Sequence, residues 1–187
     1  SDIDKANNDS YYSKTKDTFS SINFNHVNSF AKIYVYGNSS IFNREFNDTQ
    51  SYTGGINDGS TLSSKSEFDG NVKEYGLKST IPYLNKESFV VVGADYKEFE
   101  HKNDISNEYK NKAIFITNST KFDNTIFTQS LRYDKFDKFD NKYTGKLGLK
   151  QFFTNNLSTS LNYGTSYNVP TLFNLYSSYG NENINPE

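Results

Sequence analysis

Residues 157–167 read LSTSLNYGTSY, and in this stretch larger side chains alternate with small polar ones. A period of two over this length is typical of a β-strand with one face against an apolar environment and the other against a polar one. The stretch therefore predicts an amphipathic strand and sets the pattern for the rest of the chain. Its larger side chains are Leu157, Thr159, Leu161, Tyr163, Thr165 and Tyr167.

The same alternation recurs along the chain, for example over 31–36, 89–97 and 143–149, whereas helical periodicity is hard to find. The segments pair naturally as hairpins, which predicts an all-β antiparallel meander of about eight strands. We place these strands near 15–26, 30–46, 66–83, 88–101, 110–122, 125–134, 142–153 and 157–169.

Short and long connections alternate between these strands. The short ones, at 26–29, 84–87, 123–124 and 154–156, are rich in Asn, Asp and Ser, which suit tight turns. The longer ones, at 47–65, 101–109 and 135–141, are strongly polar. Tight turns at one rim and longer loops at the other are typical of a transmembrane β-barrel.

The composition fits such a barrel and excludes other classes. Of 187 residues, 34% are hydrophobic and 17% aromatic, with 15 Tyr and 16 Phe. A barrel strand needs only about 9–11 residues to cross a membrane, and only alternate ones face lipid. The absence of Cys excludes thiolate metal sites and nucleophiles, and a net charge of -2 argues against nucleic-acid binding. We expect no enzyme, because no hydrolase, metalloprotease or P-loop motif is present.

A soluble β-sandwich or β-helix is the alternative that alternation leaves open, since it too is rich in strands and turns. Two features disfavour a soluble β-rich binding domain. The predicted strands have about ten residues or more, whereas globular strands typically have about five or six. The face of each predicted strand opposite its apolar side is also polar, and the sequence shows no evident second sheet that would pack on it.

The last 60 or so residues resemble the barrel of TonB-dependent outer-membrane receptors. One matching stretch is 130–134 (SLRYD), and the other runs from 163 to 176 and on through 179–187 (YGTSYNVPTLFNLY and YGNENINPE). Asn168, Asn174 and Asn185 stand where the family usually has charged residues. The matching positions, which we expect to serve barrel architecture, are Leu131, Arg132, Tyr133, Asp134, Tyr163, Gly164, Pro170, Thr171, Leu172, Leu175, Tyr176, Gly180, Asn181, Pro186 and Glu187.

The resemblance implies part of a larger barrel, because transporters of this kind have 22 strands and a plugged lumen. We expect residues 1–187 to be a partial receptor barrel without its plug domain, located in the outer membrane of a Gram-negative cell. The implied function is uptake of a ferric siderophore, cobalamin or haem, driven by the TonB complex through the plug. A small, complete eight-stranded outer-membrane barrel, acting as an adhesin or porin, is the competing interpretation.

Aromatic side chains in the longer loops and at their edges are the candidate ligand contacts, because such side chains can close over a metal chelate or cobalamin. They can instead form the aromatic girdle or pack loops together, which we consider the more common role. His101 is a candidate haem or metal ligand, although a lone histidine is more often solvated. The candidates are Tyr52, Phe99, His101, Tyr109, Phe136, Phe139, Tyr176 and Tyr179.

Three carboxylates at a spacing of three, Asp134, Asp137 and Asp140, form a weak candidate Ca²⁺ site, since hard oxygen ligands suit calcium. Cobalamin receptors of the family bind calcium at outer loops. Lys135 and Lys138 interleave with these carboxylates, which favours a solvated loop tip, and we expect no cofactor otherwise. Arg132 and Asp134 share one face of their strand, where we expect a ladder of charges facing the lumen.

Overall fold

The computed structural model of the protein describes residues 5–84, 86–102, 106–177 and 180–187. These residues form eight strands and one short helix. Within the described ranges, no helix has the length and apolar character needed to cross a bilayer. The elements are β1 (Lys5–Val27), β2 (Lys32–Thr53), β3 (Thr61–Tyr83), β4 (Ser88–Lys102), β5 (Ser106–Phe122), β6 (Thr125–Phe136), β7 (Lys142–Thr154), β8 (Leu157–Gly164) and α1 (Leu172–Tyr176).

All eight strands pair in chain order as one antiparallel sheet, which confirms the predicted meander. In this order β1 and β8 are the two outer edges, so the described strands form an open sheet. The closed eight-stranded barrel that remained as an alternative required β1 to pair with β8. That alternative is wrong for the sheet that this chain forms.

One face of the sheet is apolar and exposed, and we call it the apolar face. Its side chains line up in register across the strands: Val35 lies opposite Leu77, Leu77 opposite Ala94, and Ala94 opposite Ile114. Such large exposed hydrophobic surface is not tolerated in water without a cover. The exposed members are Ile22, Phe24, Val35, Tyr75, Leu77, Val92, Ile114, Ile116, Leu131, Tyr143, Leu147, Leu149, Leu161 and Tyr163.

The opposite face, which we call the polar face, carries a ladder of charges centred on Arg132. Its guanidinium donates two hydrogen bonds to Asp134, at 2.8 and 2.9 Å, and a third to Asp95 on β4 at 2.6 Å. The Tyr36 hydroxyl lies 3.0 Å from the Asp95 carboxylate and 3.2 Å from that of Glu74. Charge-assisted bonds of this geometry are stronger than neutral ones, so the ladder ties together β2, β3, β4 and β6.

Glycines on the polar face make room for aromatic rings from the neighbouring strand. Gly76 lies directly opposite Tyr36, and Gly93 directly opposite Phe115. A Cβ atom at either glycine would overlap with the ring of its partner, so each ring lies flat over a glycine backbone. Aromatic cover of this kind compensates for the packing that a strand glycine lacks. Gly70 and the Phe42 ring form a third such pair.

The first three strands are longer than predicted, at 23, 22 and 23 residues. Most of the stretch 47–65, interpreted as a loop, is strand; only residues 54–60 connect β2 to β3. Here both faces are polar, so no alternation marks the strands. In contrast, β8 ends at Gly164 and not at 169. One more backbone hydrogen bond, from the Thr165 N–H to the Gly145 carbonyl, follows Gly164, so Pro170 lies beyond the end of the pairing.

The tight turns lie where Asn and Asp were expected. Asp123 adopts a φ of 46°, a left-handed conformation that Asp tolerates better than most residues. The Asn28 side chain accepts hydrogen bonds from the backbone N–H groups of Phe30 and Ala31, at 2.9 and 2.8 Å. The first turn therefore starts at Asn28, and His26 belongs to β1. Asn85, in the second turn, lies outside the described residues.

We predict that Gly76→Ala destabilises the protein, by about 1–3 kcal/mol as is typical of overpacking. The added methyl group displaces the Tyr36 ring and removes its contacts with Glu74 and Asp95. Gly145→Ala is the control, because its Cβ would lie 3.4 Å from the nearest atom, the Ser130 carbonyl oxygen. The measurement is the midpoint of chemical denaturation; equal midpoints for both variants would refute the role of the covered glycine.

Candidate functional site

A cavity of about 650 Å³ opens on the polar face, towards the end of the sheet where the longer connections lie. Its walls come from β1 to β5, and the start of α1 lies along one side. Aromatic rings dominate the lining. The residues around the cavity are Asp17, Ser40, Phe42, Arg44, Phe46, Phe68, Val72, Phe99, Glu100, His101, Tyr109, Thr171, Leu172 and Phe173.

Phe68 on β3 contacts three other rings of the aromatic wall. Its ring centroid lies 4.0 Å from that of His101, 4.9 Å from that of Phe173 and 5.8 Å from that of Phe42. The contact with Phe173 is edge-to-face, a favourable geometry for aromatic pairs. These contacts join two strands of the sheet, β2 and β4, to α1 through one side chain.

His101 is buried, with only 1% of its surface exposed. Its Nδ1 lies 2.9 Å from the carbonyl oxygen of Asp69. Because a carbonyl only accepts, Nδ1 carries the proton, which leaves Nε2 as an acceptor in the neutral ring. Nε2 is buried and has no hydrogen-bond partner among the described residues. This placement corrects the expectation of a loop histidine, since His101 is the penultimate residue of β4.

A second group of rings continues from the cavity towards the loop between β6 and β7. Phe99 stacks on Tyr109 at 4.5 Å, and Tyr109 meets Phe139 edge-to-face at 5.2 Å. Phe136 contacts both Phe139 and Tyr167, at 5.9 and 5.8 Å. Burial raises the pKa of Tyr109 to about 12, so its phenol stays neutral throughout the physiological range.

Arg44 supplies the positive charge of the cavity. Its guanidinium carbon lies 5.9 Å from the Phe42 ring centroid, within the range of a cation–π contact. Among the described residues it forms no ion pair, although Asp17 and Glu100 also border the cavity. The lining therefore combines aromatic walls with one guanidinium and two carboxylates, and its ring surfaces suit a ligand that carries aromatic groups.

The helix α1 begins at a capping box between Thr171 and Asn174. The Thr171 hydroxyl accepts from the Asn174 backbone N–H at 3.1 Å, and the Asn174 side chain accepts from the Thr171 N–H at 3.2 Å. Asn174 thus performs the capping for which an acidic residue is more usual. Leu172 and Leu175 are buried beneath the helix, which anchors α1 against β4 and β5.

Backbone contacts fold the family-like C-terminal stretch onto itself. Asn168 and Glu187 exchange two backbone hydrogen bonds, at 2.8 and 2.9 Å, and the Asn181 N–H donates to the Asn174 carbonyl. A Cβ at Gly180 would lie 2.7 Å from the Leu175 carbonyl oxygen, so this close approach requires glycine. These motif positions therefore hold the segment that carries α1 beside the cavity.

The structure brings together some of the aromatic candidates and separates others. Phe99, His101 and Tyr109 line the cavity, and they lie in strands, not in loops. Phe136 ends β6 and Phe139 follows it, and both belong to the adjoining ring group. Tyr176 ends α1 beneath the Lys138 ammonium. Tyr52 lies near the tip of the β2–β3 hairpin, away from the cavity, and Tyr179 lies outside the described residues.

Phe42, Phe68, Arg44 and Phe173 were missed as candidates. A signal for two of them was present in the sequence, because Phe42 and Phe68 interrupt otherwise polar positions of β2 and β3. Their convergence depends on the register that places Phe42 opposite Gly70 and Arg44 opposite Phe68. No single segment reveals that register.

The three aspartates of the weak calcium candidate serve different contacts. Asp134 is engaged by Arg132, whereas the Asp137 side chain accepts from the Lys110 backbone N–H at 2.7 Å. The backbone carbonyl of Asp140 accepts from the Tyr167 hydroxyl at 3.3 Å. Across the described parts of the chain, no three acidic or histidine side chains are grouped to hold a metal ion.

An antiparallel meander with one apolar and one charged face is typical of sheets that form β-barrels, and this is the class of protein that the fold indicates. The family model described as "TonB dependent receptor-like, beta-barrel" matches residues 1–187, the whole chain. The protein therefore belongs to the TonB-dependent receptor β-barrel family, as its motifs suggested. Because members of this family are outer-membrane proteins, membership argues against the soluble binding domain.

Among solved structures, the chain is similar to the siderophore receptor PirA from Pseudomonas aeruginosa, with a TM-score of 0.57 and 16% sequence identity. The match covers 93% of this chain and 40% of the PirA chain. At this identity the likeness shows a common fold. The protein described here thus spans well under half the length of that receptor.

We predict that Thr171→Ala loosens α1, because loss of an N-cap typically costs about 1 kcal/mol. Hydrogen–deuterium exchange of the peptide covering 171–177 should become about fivefold faster, the rate equivalent of that free energy. Thr171→Ser keeps the capping oxygen and should exchange at the wild-type rate. Protection that is unchanged in the alanine variant would show that the cap does not hold the helix.

Proposed function

We propose that the chain forms part of the barrel of an outer-membrane receptor that imports a ferric siderophore, using energy transmitted by TonB. The whole-chain match to the family model carries this proposal. The structural likeness to a siderophore receptor supports the choice of cargo. The exposed apolar face supports placement in lipid, since it would otherwise lie bare in water.

The open sheet supports a partial barrel as the architecture of residues 1–187. In a bilayer every backbone N–H and C=O needs a partner, so the edges of β1 and β8 must be paired. In our proposal the rest of the receptor supplies these strands, together with a plug that receives the TonB signal. The match covers only 40% of the PirA chain, which is consistent with residues 1–187 forming one part of a larger receptor.

The chemistry of the cavity favours a siderophore complex over haem. The aromatic walls suit a chelate with aromatic groups, and the Arg44 guanidinium can contact a negatively charged oxygen of such a chelate. Haem coordination needs an imidazole nitrogen that iron can reach, but His101 is 1% exposed. His26, the other histidine of the sequence, lies near the turn at the opposite end of β1.

Growth tests the proposed function directly. We predict that a strain lacking the complete gene fails to grow on one class of ferric siderophore as sole iron source, and that the intact gene restores growth. The same strain should use haem and cobalamin normally. Uptake of the labelled siderophore should stop when TonB is removed. Normal growth of the deletion strain on every siderophore, haem and cobalamin would refute a role in transport.

Binding to the complete receptor tests the cavity. We predict that Phe68→Leu weakens siderophore binding by about tenfold, because Leu retains bulk but loses aromatic contacts worth about 0.5–1.5 kcal/mol. Phe19→Leu is the matched control, since Phe19 is exposed and does not line the cavity. Quenching of the receptor's intrinsic fluorescence by the bound ferric siderophore measures the dissociation constant. Equal constants for the two variants would place the ligand elsewhere.

A further inference from the structure

The buried imidazole of His101 has one nitrogen whose capacity for hydrogen bonding is unused. Its Nδ1 donates to the Asp69 carbonyl oxygen at 2.9 Å, so Nε2 of the neutral ring is an acceptor. That atom has no hydrogen-bond partner among the residues that the structure describes. An unpaired buried acceptor is unfavourable, and most buried polar atoms in native proteins are paired. His101 therefore holds an acceptor in a fixed orientation that the described part of the chain does not satisfy.

Apolar rings cover this imidazole, which is only 1% exposed. The Phe68 ring lies over it, with the two ring centroids 4.0 Å apart and the planes inclined by 30°. Phe68 in turn contacts Phe173 of α1, edge to face. A phenyl ring has neither an N–H nor an O–H group. The cover therefore keeps water from the imidazole without giving Nε2 a partner.

The cover has room to move, because it borders an open space. His101, Phe68 and Phe173 all line the cavity of about 650 Å³. When the Phe68 side chain turns into that space, it leaves room beside the imidazole for one phenyl-sized ring. A porphyrin is much wider, so this movement does not bring haem iron to Nε2. A small aromatic group with a donor can enter, and the hydrogen bond that it forms favours the open arrangement.

We propose that His101 is a specificity-determining residue of the cavity, and that its Nε2 accepts a hydrogen bond from an O–H or N–H group on an aromatic ring of the ligand. Such a group is not a ligand of the iron, because a phenol that binds Fe³⁺ gives up its proton. The ligand therefore carries a protonated donor outside its iron-binding groups. This inference rests on the proposed function for the kind of ligand, but an iron-free aromatic compound tests the site itself.

Two carboxylates at the cavity are weaker candidates for the same donor. Asp17 is exposed and Glu100 is half-buried, with Glu100 also 3.2 Å from the Lys102 ammonium. A donor that moves from water to an exposed carboxylate exchanges one hydrogen bond for another and gains little. At Nε2 it pairs an acceptor that is otherwise buried and unpaired, so the larger gain lies at His101.

Binding of phenol and anisole to the complete receptor tests the proposal. The two compounds share one ring, but a methyl group in anisole replaces the proton that phenol can donate. We expect phenol to bind about tenfold more tightly, the equivalent of one hydrogen bond to a buried acceptor that otherwise stays unpaired. Ligand-observed NMR titration measures both dissociation constants. Equal constants would overturn the proposal, since water would then satisfy Nε2 as well as phenol does.

The nitrogen NMR spectrum of the receptor with isotope-labelled histidines locates the bond. Phenol should move the Nε2 signal of His101 upfield, as accepting a hydrogen bond does to an imidazole nitrogen without a proton, and anisole should not. The signal is identified by its absence from a His101 variant. Phenol that binds without moving this signal would overturn the proposal, and this result does not depend on how any variant binds.

His101→Asn removes Nε2 but keeps an amide N–H that can donate to the Asp69 carbonyl. Its preference for phenol should disappear, while its affinity for anisole stays at the wild-type value. His26→Asn is the matched control, because His26 is exposed and does not line the cavity, and it should keep the preference. A preference that persists in His101→Asn would assign the donor to a carboxylate and overturn the proposal.

Growth on ferric siderophores separates this inference from the proposed function. If the wild-type receptor supports that growth but does not prefer phenol, the role of His101 is refuted and transport stands. If the receptor prefers phenol through His101 but supports no such growth, the proposed cargo is refuted and the acceptor site stands.

Discussion

Continuous backbone pairing from β1 to β8 is the constraint on which the rest of the structure depends. In lipid an unpaired N–H or C=O group costs several kcal/mol, so the strands must satisfy one another before their side chains matter. Once the backbone groups are paired, successive side chains point to opposite faces of the sheet. Each face can therefore carry side chains that suit its own surroundings. A chain with only 34% hydrophobic residues can therefore present a band of apolar side chains that runs across its strands.

The register of the pairing decides which side chains meet on each face of the sheet. A slip of one residue would move every side chain to the opposite face, placing the Arg132 ladder on the apolar face. Several devices hold the register, including the bidentate Arg132–Asp134 contact and the rings that cover glycines on adjacent strands. The same register places Phe42, Phe68 and His101 beside one another, so the candidate site follows from the barrel's own construction.

Much of the fold could be predicted, because alternation and turn chemistry are local signals. Strands such as β6 and β7 alternate clearly, and Asp123 marks its turn by its tolerance for positive φ. Residues 5–14, 47–53 and 61–65 escaped prediction as strands because their sequence shows no clear alternation of apolar and polar residues. The burial of His101 also escaped it, since the covering Phe68 lies 33 positions earlier in the sequence. The helix α1 is only five residues long and depends on a reciprocal cap, not on helical periodicity.

The long hairpin of β2 and β3 has a consequence for how this surface can evolve. Crossing a bilayer uses roughly ten residues of a tilted strand, so in the proposed membrane placement about half of each of these strands of 22 and 23 residues extends beyond the bilayer as paired backbone. Its shape is fixed by main-chain hydrogen bonds, while its side chains are largely exposed or half-buried, apart from those such as Phe46 and Phe68 that line the cavity. Substitutions outside the cavity can thus accumulate there one side chain at a time without changing the backbone, and unpaired chain that a protease could cut is confined to the glycine-rich tip.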